Sequence, residues 1–229
     1  VVDHSDVSFF ENNKSAKLVV MSFDIECKPE DGVSFPQADK DKDVVTQIGS
    51  TFSYHGDPEP FHKSIITLGK AKKVDGLEGT TIESYDNEIK VLLAWTKLVQ
   101  KMDPDIVTGF NINGFDFDYL HKRSKKLGIS VQFSKLGRDL NACCKFEEKV
   151  LASSALGENI LKYYNMTGRV VIDLMKVIQR DHKLGGYSLD FVSSHFIQKP
   201  ILMYDKHDSY SIMYSEDAYG IKAGDYVNI

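Results

Sequence analysis

What this chain lacks narrows it first. It has only three cysteines, Cys27, Cys143 and Cys144. That odd count without framework spacing excludes a disulfide scaffold, and adjacent Cys143-Cys144 is not the Cys-x-x-Cys arm of a zinc site. Unpaired thiols and a reducing, intracellular compartment are expected. No apolar run approaches the ~18 residues of a membrane span. The opening, VVDHSDVSFF, lacks the basic segment and apolar core of a secretory signal. Positive charge is in deficit: 28 Lys and Arg against 33 Asp and Glu give a net charge of −5. That is the wrong sign for gripping DNA by phosphate neutralisation alone, and it suits a domain that concentrates carboxylates around cations. Repeats and low-complexity tracts are absent.

Familiar motifs fail as well. DKDKD (39–43) starts like an EF-hand loop, but Val44 stands at the glycine position and Ser50 at the closing glutamate position. TLGKAKK has Ser64 for the first P-loop glycine and Ala71 for the Ser or Thr. No Gly-x-Ser-x-Gly nucleophile turn occurs. The first residue is not Met and the last residues, GDYVNI, read as strand; both ends are those expected of a piece of something longer.

What is present is an ordinary globular composition, 42% hydrophobic and 27% charged, in a chain long enough for one large domain. KLVVMSFDIEC (17–27) is a continuous apolar run, the pattern of a strand buried on both faces. Residues 43–55 and 59–68 predict two more strands around Gly56-Asp57-Pro58, after a long polar loop. Residues 69–81 predict loop. Residues 83–102 predict an amphipathic helix, with Ile89, Leu92, Leu93, Trp95, Leu98, Val99 and Met102 on its apolar side and Ser84 as its cap. A short strand is expected at 105–110, then a helix from near Phe115 to Gly128. Residues 129–168 give no clear pattern. Residues 169–184 predict a strand running into a helix, and Ser188 caps a short helix after Gly185-Gly186. From Ile201 onward short β-like pieces are expected. Strands followed by crossovers imply a mixed α/β sheet with helices packed on it, for which a ribonuclease-H-like layout is one solution.

Carboxylates carry the chemistry. Asp24 and Glu26 sit two apart near the end of the most apolar strand, so period-2 geometry puts both on one face. Side by side at the edge of an apolar core they repel each other and resist desolvation, which a divalent metal would offset. The competing reading is that the strand has already ended and both are solvated. The stretch TGFNINGFDFDYL (108–120) contains Asn113-Gly114, the strongest short hairpin signal. Helical spacing through Phe117, Leu120 and Leu127 argues instead for strand, turn, then helix. Asp116 then lies in the first helical turn, where it could share a metal with Asp24 and Glu26, while Asp118 faces away.

Here a resemblance becomes specific. MSFDIEC and GFNINGFDFDYL resemble the first and second exonuclease motifs of family B DNA polymerases. RVVIDLMKVIQRDHKLGGYSLDFVSSHF resembles the delta-type members of eukaryotes and large DNA viruses. The resemblance runs from about Leu18 to Ile197. It implies a ribonuclease-H-like 3′–5′ proofreading exonuclease domain over 17–200, preceded by the end of an N-terminal domain (1–16) and followed by a truncated β-rich connecting segment (201–229). It implies two Mg²⁺, for which Mn²⁺ may substitute, held by Asp24, Glu26 and Asp116 as catalytic ligands. It also implies contacts of Asn111 and Phe115 with a single-stranded or frayed primer 3′ end. Partners implied are that DNA, the rest of the polymerase chain and a sliding clamp; no membrane is involved. The location implied is the nucleus or a viral replication site. The third motif, Tyr, three residues, Asp, has only a defective counterpart in MYSEDAYGI, where Tyr214 to Asp217 is one residue short; the fourth carboxylate is therefore expected beyond Ile229. Nothing resembles the paired-Asp turn of the polymerase site. A structural or DNA-binding module with the same fold and a dead site is the alternative. Asp173 reads first as a strand-end residue capping the next helix, with a place near the site as the alternative; Tyr187 and Asp190 read as packing and helix charge. His121, His182 and His195 read as packing or surface residues, and the run Lys122, Arg123, Lys125, Lys126 as a solvated helix face.

Overall fold

The structure is a computed structural model describing residues 2–11, 14–72, 75–153, 157–217, 220–222 and 224. The closing residues 225–229, expected to be strand, lie outside the described residues. Contacts divide the chain into two units, the first ending at Asp181.

In chain order the first unit contains β1 (Val19–Lys28), β2 (Val44–Tyr54), β3 (His62–Leu68), β4 (Thr80–Tyr85), α1 (Glu88–Met102), β5 (Ile106–Gly109) and α2 (Asp116–Lys126). It continues with α3 (Ser130–Phe133), β6 (Lys145–Ser153), β7 (Gly157–Asn165), β8 (Val170–Asp173) and α4 (Leu174–Asp181). Six strands form one sheet in the order β4-β3-β2-β1-β5-β8. β2 runs antiparallel to its neighbours β1 and β3, whereas β3 pairs parallel with β4, β1 with β5, and β5 with β8. This mixed sheet flanked by helices is the ribonuclease-H-like arrangement expected, and it gathers the carboxyl ends of β1, β5 and β8 at one edge.

β1 is not buried on both faces. From Met21 to Glu26 it alternates: Met21, Phe23 and Ile25 are buried, Asp24 and Glu26 exposed. The core lies on one side, where the Phe23 ring meets Trp95 of α1 and Phe117 of α2 at centroid distances of 4.9 and 5.3 Å. One-sided packing of this kind is what an antiparallel pair allows.

Helix α1 begins later than its apolar pattern suggested. Asn87, not Ser84, caps it, its side chain accepting the Lys90 N–H at 3.0 Å. Residues 80–85 instead join the sheet edge beside β3, where the Ser84 and Thr67 hydroxyls lie 3.0 Å apart. The helical spacing begins only at Ile89, and the residues before Asn87 pair with the open strand edge instead.

The basic run is not wholly solvated. Arg123 is 1% exposed; it pairs with buried Glu88 and donates to the carbonyls of Ala38, Lys40 and Asp41. Glu88 also accepts the Val45 N–H. The Asp43 carboxylate accepts the N–H groups of Gln37 and Glu30, which hold its carboxyl below the usual range. Together these contacts fasten the polar loop after β1 against α1 and α2.

The stretch without a sequence pattern folds as α3 and the β6–β7 hairpin. The hairpin is fixed to α2 by His121, whose ring stacks on Phe146 at 3.8 Å and whose Nδ1 lies 2.8 Å from the Tyr164 hydroxyl.

The second unit, from His182, contains α5 (Leu189–Ile197) and a small antiparallel pair, β9 (Met203–Lys206) and β10 (Ser211–Tyr214). Ser188 caps α5 as expected, accepting the Phe191 N–H, and the Tyr187 hydroxyl donates to His182 O. All three cysteines are free. Among the described residues no helix is long and apolar enough to cross a membrane.

Candidate active site

β5 pairs with β1 only as far as Ser22↔Thr108. Beyond that row the chain turns away from β1. Asp116, the first residue of α2, takes up the Ile25 N–H through Oδ1 at 3.1 Å. Reaching that position within a few residues needs a tight path. Gly109 runs so close to β1 that a Cβ there would lie 2.5 Å from Phe23 O. Asn111 adopts the left-handed region at φ 61°, which asparagine tolerates better than most residues. Its carbonyl accepts the N–H groups of Gly114 and Phe115 at 2.9 and 3.0 Å. A Cβ on Gly114 would sit 2.2 Å from Asn111 Oδ1. The Asn113-Gly114 pair therefore closes a strand-to-helix turn rather than a hairpin.

The turn delivers a buried carboxylate. Asp116 is 2% exposed. Burial, the charge of Asp24 and, more weakly, that of Asp173 push its carboxyl up to about 7, against the opposing Ile25 N–H bond. Asp24 is also raised, by partial loss of hydration. Among the described residues no Lys or Arg pairs with Asp24, Glu26 or Asp116; the neighbouring cations are engaged elsewhere, Lys122 and Lys162 with Asp118 and Arg123 with Glu88. Two interacting carboxylates thus stand at the carboxyl edge of the parallel strands without a positive partner. Such edges are where open α/β sheets bind ligands.

The structure brings Asp24 and Asp116 together. Glu26 follows on the exposed face of β1, just before a β-bulge between Glu26 and Cys27. Among the described residues, no three His, Cys, Asp or Glu groups are arranged to hold a metal ion. The donor chemistry nevertheless fits one: oxygen-only ligands with uncompensated negative charge suit a hard divalent cation. Asn111 shapes the turn, and half-buried Phe115 stands beside it. Asp118 faces away, as expected. Asp217 is exposed in the second unit.

Two features escaped the sequence reading. Phe35, 72% exposed in the loop after β1, packs edge-on against Phe115 at 5.5 Å; a lone aromatic in a polar loop was its only signal. Asp173 caps α4 by accepting the Met175 N–H at 3.0 Å, as expected, but it also accepts the N–H groups of Asn111 and Asn113.

A family model described as "DNA polymerase family B, exonuclease domain" matches residues 2–192. The chain is 42% identical over 187 residues to a protein named DNA polymerase from Pyramimonas orientalis virus, covering 82% of this chain and 15% of that protein. It is 40% identical over 193 residues to the DNA polymerase delta catalytic subunit of Dictyostelium discoideum, covering 84% of this chain and 17% of the relative. It is 39% identical over 189 residues to the same subunit of Drosophila melanogaster, covering 82% and 17%. The chain thus spans only about a sixth of the length of these relatives. With the motif carboxylates at the edge of a ribonuclease-H-like sheet, the chain belongs to the exonuclease-domain family of the family B DNA polymerases.

Proposed function

We propose that this chain is the 3′–5′ proofreading exonuclease portion of a replicative DNA polymerase and hydrolyses the 3′-terminal phosphodiester of DNA. The observation that carries the reading is the buried Asp116 beside Asp24, with no cationic partner among the described residues, in a chain of this family. Asp24, Glu26 and Asp116 are the residues that would hold Mg²⁺, or Mn²⁺ in its place. A divalent cation there supplies Lewis-acid charge for activating water and stabilising the leaving 3′ oxygen. The exposed side chains of Asp24 and Glu26 have room to turn toward Asp116, which the Ile25 N–H keeps fixed. Phe115, with exposed Phe35 against it, offers an aromatic surface on which a terminal base can stack without sequence preference. A frayed or mismatched end reaches this surface at lower cost than a paired one. The working partners in this reading are the primer 3′ end, the rest of the polymerase chain and a sliding clamp. The setting is the nucleus or a viral replication site.

The second reading, a DNA-positioning module with a dead site, draws on the lack of a preformed three-ligand group among the described residues. The deciding experiment is Mg²⁺-dependent nucleotide release from a 3′-mismatched primer by the wild type, Asp24→Ala and Asp116→Ala. Release that stops in both variants supports the exonuclease. A folded, DNA-binding wild type that releases nothing, both alone and in a longer chain that carries a complete third motif, supports the positioning module.

A further inference from the structure

Asp173 stands at the end of β8, opposite Gly109 in the parallel pairing of β5 and β8. Its carboxylate is 4% exposed and has no Lys or Arg partner among the described residues. Three backbone N–H groups occupy it. Oδ1 accepts from Asn111 at 2.9 Å and Met175 at 3.0 Å, and Oδ2 accepts from Asn113 at 2.9 Å. Two of those donors flank the turn that carries Asp116, and one of them is left-handed Asn111. The third opens α4.

We infer that Asp173 is a positioning residue that clamps the Asn111–Asn113 turn and thereby sets where Asp116 stands. The inference rests on the exonuclease reading for its functional consequence. It does not make Asp173 a further metal ligand. Three charge-assisted bonds already hold both oxygens in fixed directions, and such bonds are strong and geometrically specific. The turn needs a clamp for a physical reason. Sheet pairing ends at Gly109; among the described residues the segment to Asp116 is otherwise held by local bonds, the Asn113 carbonyl contact with Lys162 N–H and the packing of the Ile112 and Phe115 side chains, none of which fixes the Asn111 and Asn113 N–H groups. A carboxylate on the neighbouring strand end reaches the N–H groups of Asn111 and Asn113 at once, one with each oxygen; an amide or hydroxyl has a single oxygen to offer. Asp116 must be placed to within a fraction of an ångström for hydrolysis, because small misplacement of a reacting group costs orders of magnitude in rate.

The test compares the wild type with Asp173→Asn, which keeps the shape but turns an N–H group toward Asn113, and with Asp173→Ala. Amide exchange by NMR reads the clamp without any catalysis. Exchange at Asn111 and Asn113 should accelerate at least tenfold in Asp173→Asn while the Met21–Phe23 amides, paired within the sheet, keep their protection. Unchanged exchange at Asn111 and Asn113 overturns the inference. Kinetics on single-stranded DNA then read the consequence. kcat should fall at least thirtyfold, with the KM for DNA and the Mg²⁺ half-saturation each within threefold of wild type. A wild-type kcat overturns the positioning role, and a tenfold higher Mg²⁺ requirement would make Asp173 a ligand instead. If Asp173→Ala unfolds, Asp173→Asn alone decides. A wild type without nuclease activity, even in a longer chain that carries a complete third motif, refutes the exonuclease reading, and the exchange data still decide the clamp.

Discussion

Asp116 should destabilise the metal-free protein at neutral pH, so replacing it with asparagine should make that protein more stable while removing its activity. An unfolded aspartate titrates near ~3.9, whereas Asp116 in the fold is pushed up to about 7 by burial and by Asp24. A raised carboxyl favours folding while protonated. Its contribution is full below about pH 4, declines as pH rises through the folded value, and is gone above about 7. Three units at ~1.36 kcal/mol each make the charged Asp116 cost roughly 4 kcal/mol at pH 8, and roughly 1–2 kcal/mol at pH 5. Asp116→Asn keeps an acceptor for the Ile25 N–H and removes the titration. In urea unfolding with EDTA, its stability relative to wild type should therefore rise by roughly 2–3 kcal/mol between pH 5 and pH 8. Comparing both proteins at each pH cancels groups that do not interact with Asp116, such as His121, whose imidazole is lowered by burial. At pH 8, Mg²⁺ at ~100 times its Kd should restore about 2.7 kcal/mol to the wild type and little to the variant. A stability difference that does not change between pH 5 and pH 8 would refute the reasoning.

Three further outcomes follow from the packing. Arg123→Ala leaves Glu88 charged and buried, so urea unfolding should show a loss of about 3–5 kcal/mol, with the loop after β1 more open to protease. Gly109→Ala places a methyl 2.5 Å from Phe23 O and 2.6 Å from Ile112 Cγ2; a loss of about 1–3 kcal/mol is expected on the same assay. Phe115→Ala removes the ring that Phe35 and Tyr119 pack against, and steady-state kinetics should show a higher KM for single-stranded DNA with Mg²⁺ dependence unchanged.

Much of this was legible in the sequence because local signals and the fold agree. The apolar run ending in Asp24 and Glu26, and the helical spacing after Gly114, each name one element and one end of it. Reading failed where a neighbour far along the chain decides. Thr80, Thr81, Ile82 and Tyr85 favour a strand, but the segment is short and runs straight into the helix, so its pairing shows only once β3 offers its open edge. The run 17–27 looked doubly buried because it is mostly apolar up to Phe23, yet its burial alternates, with Asp24 and Glu26 exposed opposite the side where Phe23 meets α1 and α2. Arg123 looked like one more surface cation until the fold placed Glu88, 35 residues earlier, against it. Asp173 announced a helix cap; that it also holds a turn 60 residues away is set by the parallel pairing of β5 and β8.

The most direct test of the central claim is where a divalent cation binds. Mn²⁺ titrated into the ¹⁵N-labelled chain broadens the amide signals nearest the ion. The account predicts that broadening begins at residues 24–26 and 111–117 and disappears when Asp24→Asn and Asp116→Asn are combined. Broadening centred elsewhere, such as on Asp39–Asp43, or unchanged in the double variant, would contradict it.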